Sequence, residues 1–266
     1  MPFTVSHAVV ALPFVRSPLP YGAVAVGAMT PDLPLFFPTP LTYELTHGFP
    51  SLLVTSLPLA VVLYSVWRML LRPAARTLLP RAIGERLPES WARAGRPSPR
   101  GALLVLASLL IGVITHVVWD LFTHPGRAGS EWLPALADRW GPLDGTQWLQ
   151  YASSLLGLVV LAIAAARYLR GTPPAELRPS PAARRLRAGY WLALLLAAVV
   201  GPVVTVARLG LPGNSTDAKL FAFDAGTLAG AIMLVLTAGA AVTVLVLRRP
   251  PITCLPVVRK HPHCDQ

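Results

Sequence analysis

Five apolar runs of roughly twenty residues divide this chain, and each is long enough to cross a hydrocarbon core about 30 Å thick. They extend from Ser51 to Leu71, Ala102 to Phe122, Tyr151 to Leu169, Tyr190 to Ala207 and Ala225 to Leu247. A backbone in lipid must satisfy its own hydrogen bonds, so such runs have to be helices. Composition agrees: 54% of the 266 residues are hydrophobic and only 13% are charged, against about 25% charged in soluble domains. Mean hydropathy is +0.56. The expected fold class is all-α, a polytopic transmembrane helix bundle of about five spans plus a re-entrant or interfacial N-terminal segment. Residues 1–249 then form a single integral membrane domain, and 250–266 a flexible cytoplasmic tail.

The net charge of +11 invites a nucleic-acid partner, but the cations lie in short segments between the apolar runs. Membrane orientation accounts for that distribution, so the partner expected is the lipid bilayer and no nucleic acid. The loop from Arg72 to Arg100, the loop from Arg170 to Arg187 and the tail beginning at Arg248-Arg249 are strongly basic. Those three should be cytoplasmic, the C-terminus included, with the second and fourth loops outside. The Ala, Arg and Pro bias has the look of a GC-rich bacterial genome, which makes the expected location a bacterial plasma membrane. No basic region or small-residue cleavage site opens the chain, so no cleavable signal peptide is expected.

Local signals refine this picture. Pro58 and Pro202 fall inside apolar runs and should kink their helices. Gly226, Gly230 and Gly239 in the fifth run should allow close helix packing. Residues His7 to Met29 are apolar but broken by Pro13, Arg16, Pro18 and Pro20. That segment either crosses the membrane or folds back, and Ser6 is placed to cap a short helix beginning at His7. Trp119, Trp132, Trp140, Trp148 and Tyr151 flank the outer boundaries as an aromatic belt would.

The chemistry concentrates in His116-x3-Asp120-x3-His124. Side chains four apart on a helix lie one turn above each other. His116 and Asp120 should therefore share a face, with His124 a further turn on. His116 precedes Phe122 by roughly 9 Å of helix rise, which places both groups inside the membrane boundary. Ionisable side chains at that depth need pairing, hydration or a metal. The bland alternative is a His–Asp hydrogen bond joining two helices. Asp32 in Thr30-Pro31-Asp32, His47 in Thr46-His47-Gly48 and His7 after Ser6 are weak signals singly, since Pro-Asp is an ordinary turn pair. Under the derived topology, Asp32, His47 and the end of the second run share the outer face. Cys254 and Cys264, the two cysteines, define no disulfide framework. His261-Pro262-His263-Cys264 reads as disordered tail rather than a metal site.

These motifs carry a resemblance. The opening Met1-Pro2-Phe3-Thr4-Val5-Ser6-His7-Ala8, then Gly27-Ala28-Met29-Thr30-Pro31-Asp32, Thr46-His47, and the stretch from His116 to His124 resemble the uncharacterised bacterial membrane family DUF4184. Leu149 to Gly157 is similar as well. That family is multi-spanning and without an established activity. More distantly, the order His, Pro-Asp, Thr-His, His-x3-Asp resembles the inner-membrane metal-dependent hydrolases. These are named for similarity to helical zinc phospholipases C and nucleases. The resemblance implies His7, Asp32, His47, His116 and Asp120 as ligands of a divalent metal, zinc above all, with His124 in the same motif. The chain departs from the hydrolase pattern: it has Pro31-Asp32-Leu33-Pro34 in place of Pro-Asp-x-Asp-His, and no Arg adjoins Thr46-His47.

Two functions follow as expectations. One is a membrane-bound metal-dependent hydrolase acting near the extracytoplasmic face on a phosphoester, lipid or cell-envelope substrate. The other is a non-catalytic membrane protein with a structural or metal-sensing His/Asp cluster. A metal or proton transporter fits less well, because the last three runs offer few polar groups for a path.

Overall fold

The computed structural model describes residues 4–36, 39–92, 98–175, 180–210 and 215–247. The tail, with Cys254, His261, His263 and Cys264, lies outside the described residues. Five helical stretches are long and apolar enough to cross a membrane: Ser51–Leu78, Pro99–Thr123, Gly145–Gly171, Pro181–Arg208 and Asp224–Leu247. They contain the five apolar runs and extend past them, because polar flanks continue the helices to capped ends. Ser98 and Ser180, for example, accept from the backbone N–H groups of Gly101 and Ala183, satisfying donors that a helix start leaves free.

The N-terminal segment folds back. A 3-10 helix, Thr4–Arg16, is closed where Ser17 donates to the Phe14 carbonyl. It is followed by α1 (Tyr21–Met29). The two ends of this hairpin meet, for Thr4 Oγ1 donates to Asp32 Oδ2 at 2.8 Å. Residues 4–32 therefore leave one end of the bundle and return to it, the fold-back alternative of the two that the sequence left open. Ser6 does not cap a helix start. It lies buried within the 3-10 helix, which begins at Thr4.

Next come α2 (Tyr43–His47), α3 (Ser56–Val66) and α4 (Arg72–Leu78). A π-helical turn at Trp67–Leu71 joins α3 to α4. Pro58 does not kink this span. It falls in the first turn of α3, where its missing N–H would have no intrahelical partner in any case. The irregularity sits instead just before Pro73, which has no N–H to offer the preceding turn. A short α5 (Arg81–Gly84) precedes α6 (Pro99–Thr123).

Beyond α6 the chain builds α7 (Ala128–Trp132) and a two-stranded hairpin, β1 (Arg139–Trp140) with β2 (Leu143–Asp144). Gly141 supplies the positive φ of 70° at that turn. The long helices α8 (Gly145–Gly171), α9 (Pro181–Leu209) and α10 (Ser215–Leu247) complete the fold.

Packing places the site. One apolar core joins α1, α3 and α6 through Ala23, Val26, Ala60, Tyr64, Leu109 and Val113. At its centre α1 and α6 touch backbone to backbone. A Cβ at Gly27 would collide with the Leu109 carbonyl, and one at Gly112 with the Val24 carbonyl. Small residues permit such an approach in lipid. Of the three glycines expected to do this, Gly226 and Gly239 face open space. The close contact between α9 and α10 lies at Gly201, whose added Cβ would be 2.7 Å from both the Ala225 carbonyl oxygen and Ala229 Cβ. A second cluster, Ala74, Leu78, Ala241 and Val244, fixes α10 to α4.

Candidate metal centre

Four side chains from three directions meet near the C-terminal end of α6. His116 and Asp120 project from one face of α6, a turn apart as their spacing predicts. Asp32 lies just past α1, in a turn where Leu33 N–H donates to the Thr30 carbonyl. His47 ends α2, a helix started by Thr42, whose hydroxyl accepts from the Leu45 N–H. Ser56 Oγ donates to the Thr46 carbonyl at 2.7 Å and ties α2 to the start of α3. All four groups are buried, none more than 5% exposed.

Their facing atoms are close and similarly spaced. His47 Nε2 lies 3.2 Å from His116 Nε2, 3.4 Å from Asp120 Oδ2 and 3.7 Å from Asp32 Oδ1. His116 Nε2 lies 3.3 Å from Asp32 Oδ1 and 3.5 Å from Asp120 Oδ2. A tetrahedral ion with bonds of about 2.1 Å has ligand–ligand edges of about 3.4 Å. Five of the six edges of a tetrahedron on these atoms scatter around that value, and all four atoms lie within 4.8 Å of one another, so the group can hold a metal ion.

The tautomers point the same way. His116 Nδ1 is 2.7 Å from the Ala28 carbonyl, and His47 Nδ1 is 3.1 Å from the Tyr43 carbonyl. A carbonyl only accepts, so His116 Nδ1 carries a proton and its neutral ring turns the Nε2 lone pair inward; His47 Nδ1, which also meets the Thr46 hydroxyl at 2.8 Å, does the same when that hydroxyl donates to the Tyr43 carbonyl. Asp32 Oδ1 is buried without a hydrogen-bond partner. Two carboxylates facing two inward Nε2 atoms make an electron-rich pocket that a divalent cation would neutralise.

Electrostatics outside the spans agree. Burial alone would raise the Asp32 carboxyl, yet the facing imidazoles of His116 and His47 hold it well below the usual carboxylate range. Burial would lower His47, but Asp120 and Asp32 outweigh it and raise its pKa. Tyr43 stacks on His47 with centroids 3.8 Å apart and donates to Asp120 Oδ2 at 3.1 Å. Burial, then the Asp120 charge, pushes its phenol far upward, so the donor proton stays. The Arg127 guanidinium lies 4.4 Å above the same ring.

His7 and His124 stand beside the tetrahedron rather than in it. The His7 ring is 4.1 Å from that of His116, centroid to centroid. The expectation that His124 continues the α6 face is corrected. The helix ends at Thr123, and His124 is its C-cap in extended backbone. Its ring still reaches inward, with Nδ1 3.6 Å from Asp120 Oδ2. Both histidines line a cavity that reaches Asp32 and Asp120.

A family model described as Domain of unknown function (DUF4184) matches residues 1–248. The chain belongs to this family. No curated protein and no solved structure matches it. In this DUF4184 chain the sequence signals at Asp32, His47, His116 and Asp120 converge as a single group. Thr4, Tyr43 and the Ala28 carbonyl escaped sequence reasoning. Tyr43 precedes His47 by four residues, the same one-turn spacing that singled out His116 and Asp120, so a signal existed. The Ala28 carbonyl has no side-chain signature at all.

Proposed function

We propose that this DUF4184 protein is a membrane-bound metal-dependent hydrolase, with a zinc-like divalent ion held by Asp32, His47, His116 and Asp120. The supporting observation is the meeting of four buried donor atoms within 4.8 Å of one another, two of which, on Asp32 and Asp120, belong to residues that also line a cavity. An ion bound there would lower the pKa of a water and polarise a scissile phosphoester or ester group. The chain's own groups have separable parts in this reading. Thr4 and Tyr43 orient the two carboxylates by hydrogen bonds, and such outer contacts fix ligand geometry. His7 and His124 line the cavity where they can hydrogen-bond a substrate's phosphoryl or carbonyl oxygen. The order of the His and Asp motifs, similar to that of the inner-membrane metal-dependent hydrolases, points to the same class. The basic loops orient the site toward the extracytoplasmic side of a bacterial plasma membrane.

One feature favours a second reading, a structural or sensing metal. All four corners of the tetrahedron are protein atoms, as in closed structural sites. Purified protein assayed for bound metal and for hydrolysis of phosphodiester and phospholipid substrates separates the two. Metal with turnover that His116→Ala abolishes supports the hydrolase. Metal without turnover, together with unfolding on chelation, leaves the structural role.

A further inference from the structure

The cavity that reaches the centre is long and mostly apolar, with a volume of about 530 Å³. It runs between the N-terminal 3-10 helix, α6 and α8. Its polar end is made by Asp32, Asp120 and His124, while Val9, Val10, Leu156 and Val160 line the rest. Gln150 and Val160 both line it and stand ten residues apart on α8, about 15 Å of rise. That length matches one leaflet, half of a hydrocarbon core about 30 Å thick. The side of the groove is open: Leu156 is 64% exposed and Val118 47% exposed, both on helices long and apolar enough to cross a membrane. On the inner side, Gly157 admits the 3-10 helix closely, since a Cβ there would be 3.0 Å from the Ser6 carbonyl oxygen.

We propose that this groove takes one acyl chain of a membrane glycerophospholipid, entering sideways from the bilayer, with the head-group linkage at the Asp32–Asp120 end. Calling that lipid a substrate rests on the hydrolase reading; its binding does not. A peptide is disfavoured because its backbone would find few polar partners along the valine and leucine walls. A small water-soluble ligand would leave the apolar length unfilled. A phospholipid satisfies both ends: its chain replaces lipid contacts with protein contacts, and its polar linkage sits where the charged groups are.

The test uses the full-length protein in phosphatidylethanolamine/phosphatidylglycerol vesicles containing a phosphatidylglycerol with a diazirine near the end of one acyl chain. After photolysis, labelled peptides are mapped by mass spectrometry. The label is expected severalfold enriched at Val9–Val10 and Leu156–Val160 over α9 and α10, which also face lipid. Val160→Trp should remove that enrichment while bound metal stays at the wild-type level. Val10→Trp, from the opposite wall, is the second variant should the first fail to fold. Even labelling of all lipid-facing helices, unchanged by either tryptophan, overturns the groove. Asp120→Asn keeps the two claims apart: groove labelling retained in it shows that lipid binding does not need the metal, and if the wild type too holds no metal and hydrolyses nothing, the hydrolase fails while lipid binding stands.

Discussion

His47 and His116 point their Nε2 atoms at each other across 3.2 Å, while His116 Nδ1 faces the Ala28 carbonyl and His47 Nδ1 faces the Thr46 hydroxyl and the Tyr43 carbonyl. Two neutral imidazoles held this way repel through their lone pairs. One shared proton relieves that contact but leaves the two nearby carboxylates incompletely compensated in a buried site. A divalent ion satisfies all four donors at once, which is why this pair anchors the metal reading.

Tyr43 provides a mild perturbation. Tyr43→Phe removes the hydroxyl that donates to Asp120 and keeps the ring stacked on His47. Loss of such an outer-shell partner weakens metal affinity by about 10–100-fold. Chelator competition should show a weakening in that range with no change in the amount of folded protein. Unchanged affinity would mean that Tyr43 only packs.

Gly112 links the fold to the site. Gly112→Leu would drive a side chain into the Val24 carbonyl and push α1 from α6. The Ala28 carbonyl would then move off His116 Nδ1, and Asp32 would move with α1. Overpacking of this kind costs about 1–3 kcal/mol. Thermal unfolding in detergent should show the loss of stability, and metal content should fall although no ligand is changed. A stable variant with full metal content would refute this coupling.

The spans were the most legible part of the sequence, because length and hydropathy alone determine whether a helix can cross lipid. His116 and Asp120 were legible for a similar reason: a fixed helical repeat places residues four apart on one face. Asp32 and His47 could be brought only to the same side of the membrane. Their contact depends on the backbone meeting of Gly27 with Leu109 and on the turns around Pro31 and Gly48, which no periodicity encodes. Pro58 misled because a proline's effect depends on its place in the helix, and the apolar run began several residues before α3 did. Gly226 and Gly239 misled because small residues permit close packing without requiring it.

Topology is testable apart from the metal. The Arg72–Arg100 loop and the C-terminus should both be cytoplasmic, by the distribution of basic residues. Single cysteines introduced in that loop and near the C-terminus, in a chain with Cys254 and Cys264 replaced, should resist a membrane-impermeant maleimide in intact cells. A cysteine in the β1–β2 hairpin should react. Labelling of either basic segment from outside would reverse the orientation.

Metal removal should also register as lost stability. A ligand that binds only the folded state at about 100 times its dissociation constant stabilises by about 2.7 kcal/mol. Chelation should therefore lower the unfolding temperature of the wild type, and zinc should restore it. His116→Ala should unfold at the same temperature with and without chelator. An equal response of both proteins would place the chelator's effect elsewhere.

The most direct measurement of the central claim is elemental analysis of purified wild type beside Asp120→Asn. The substitution keeps the size of the side chain and removes one of the two charges in the tetrahedron. A stoichiometric divalent metal, zinc foremost, is expected in the wild type and a sharp loss in Asp120→Asn, with both proteins inserted in the membrane at equal levels. Near-zero metal in both, even after incubation with zinc, would contradict it and leave His47, His116, Asp32 and Asp120 as a hydrogen-bonded structural cluster.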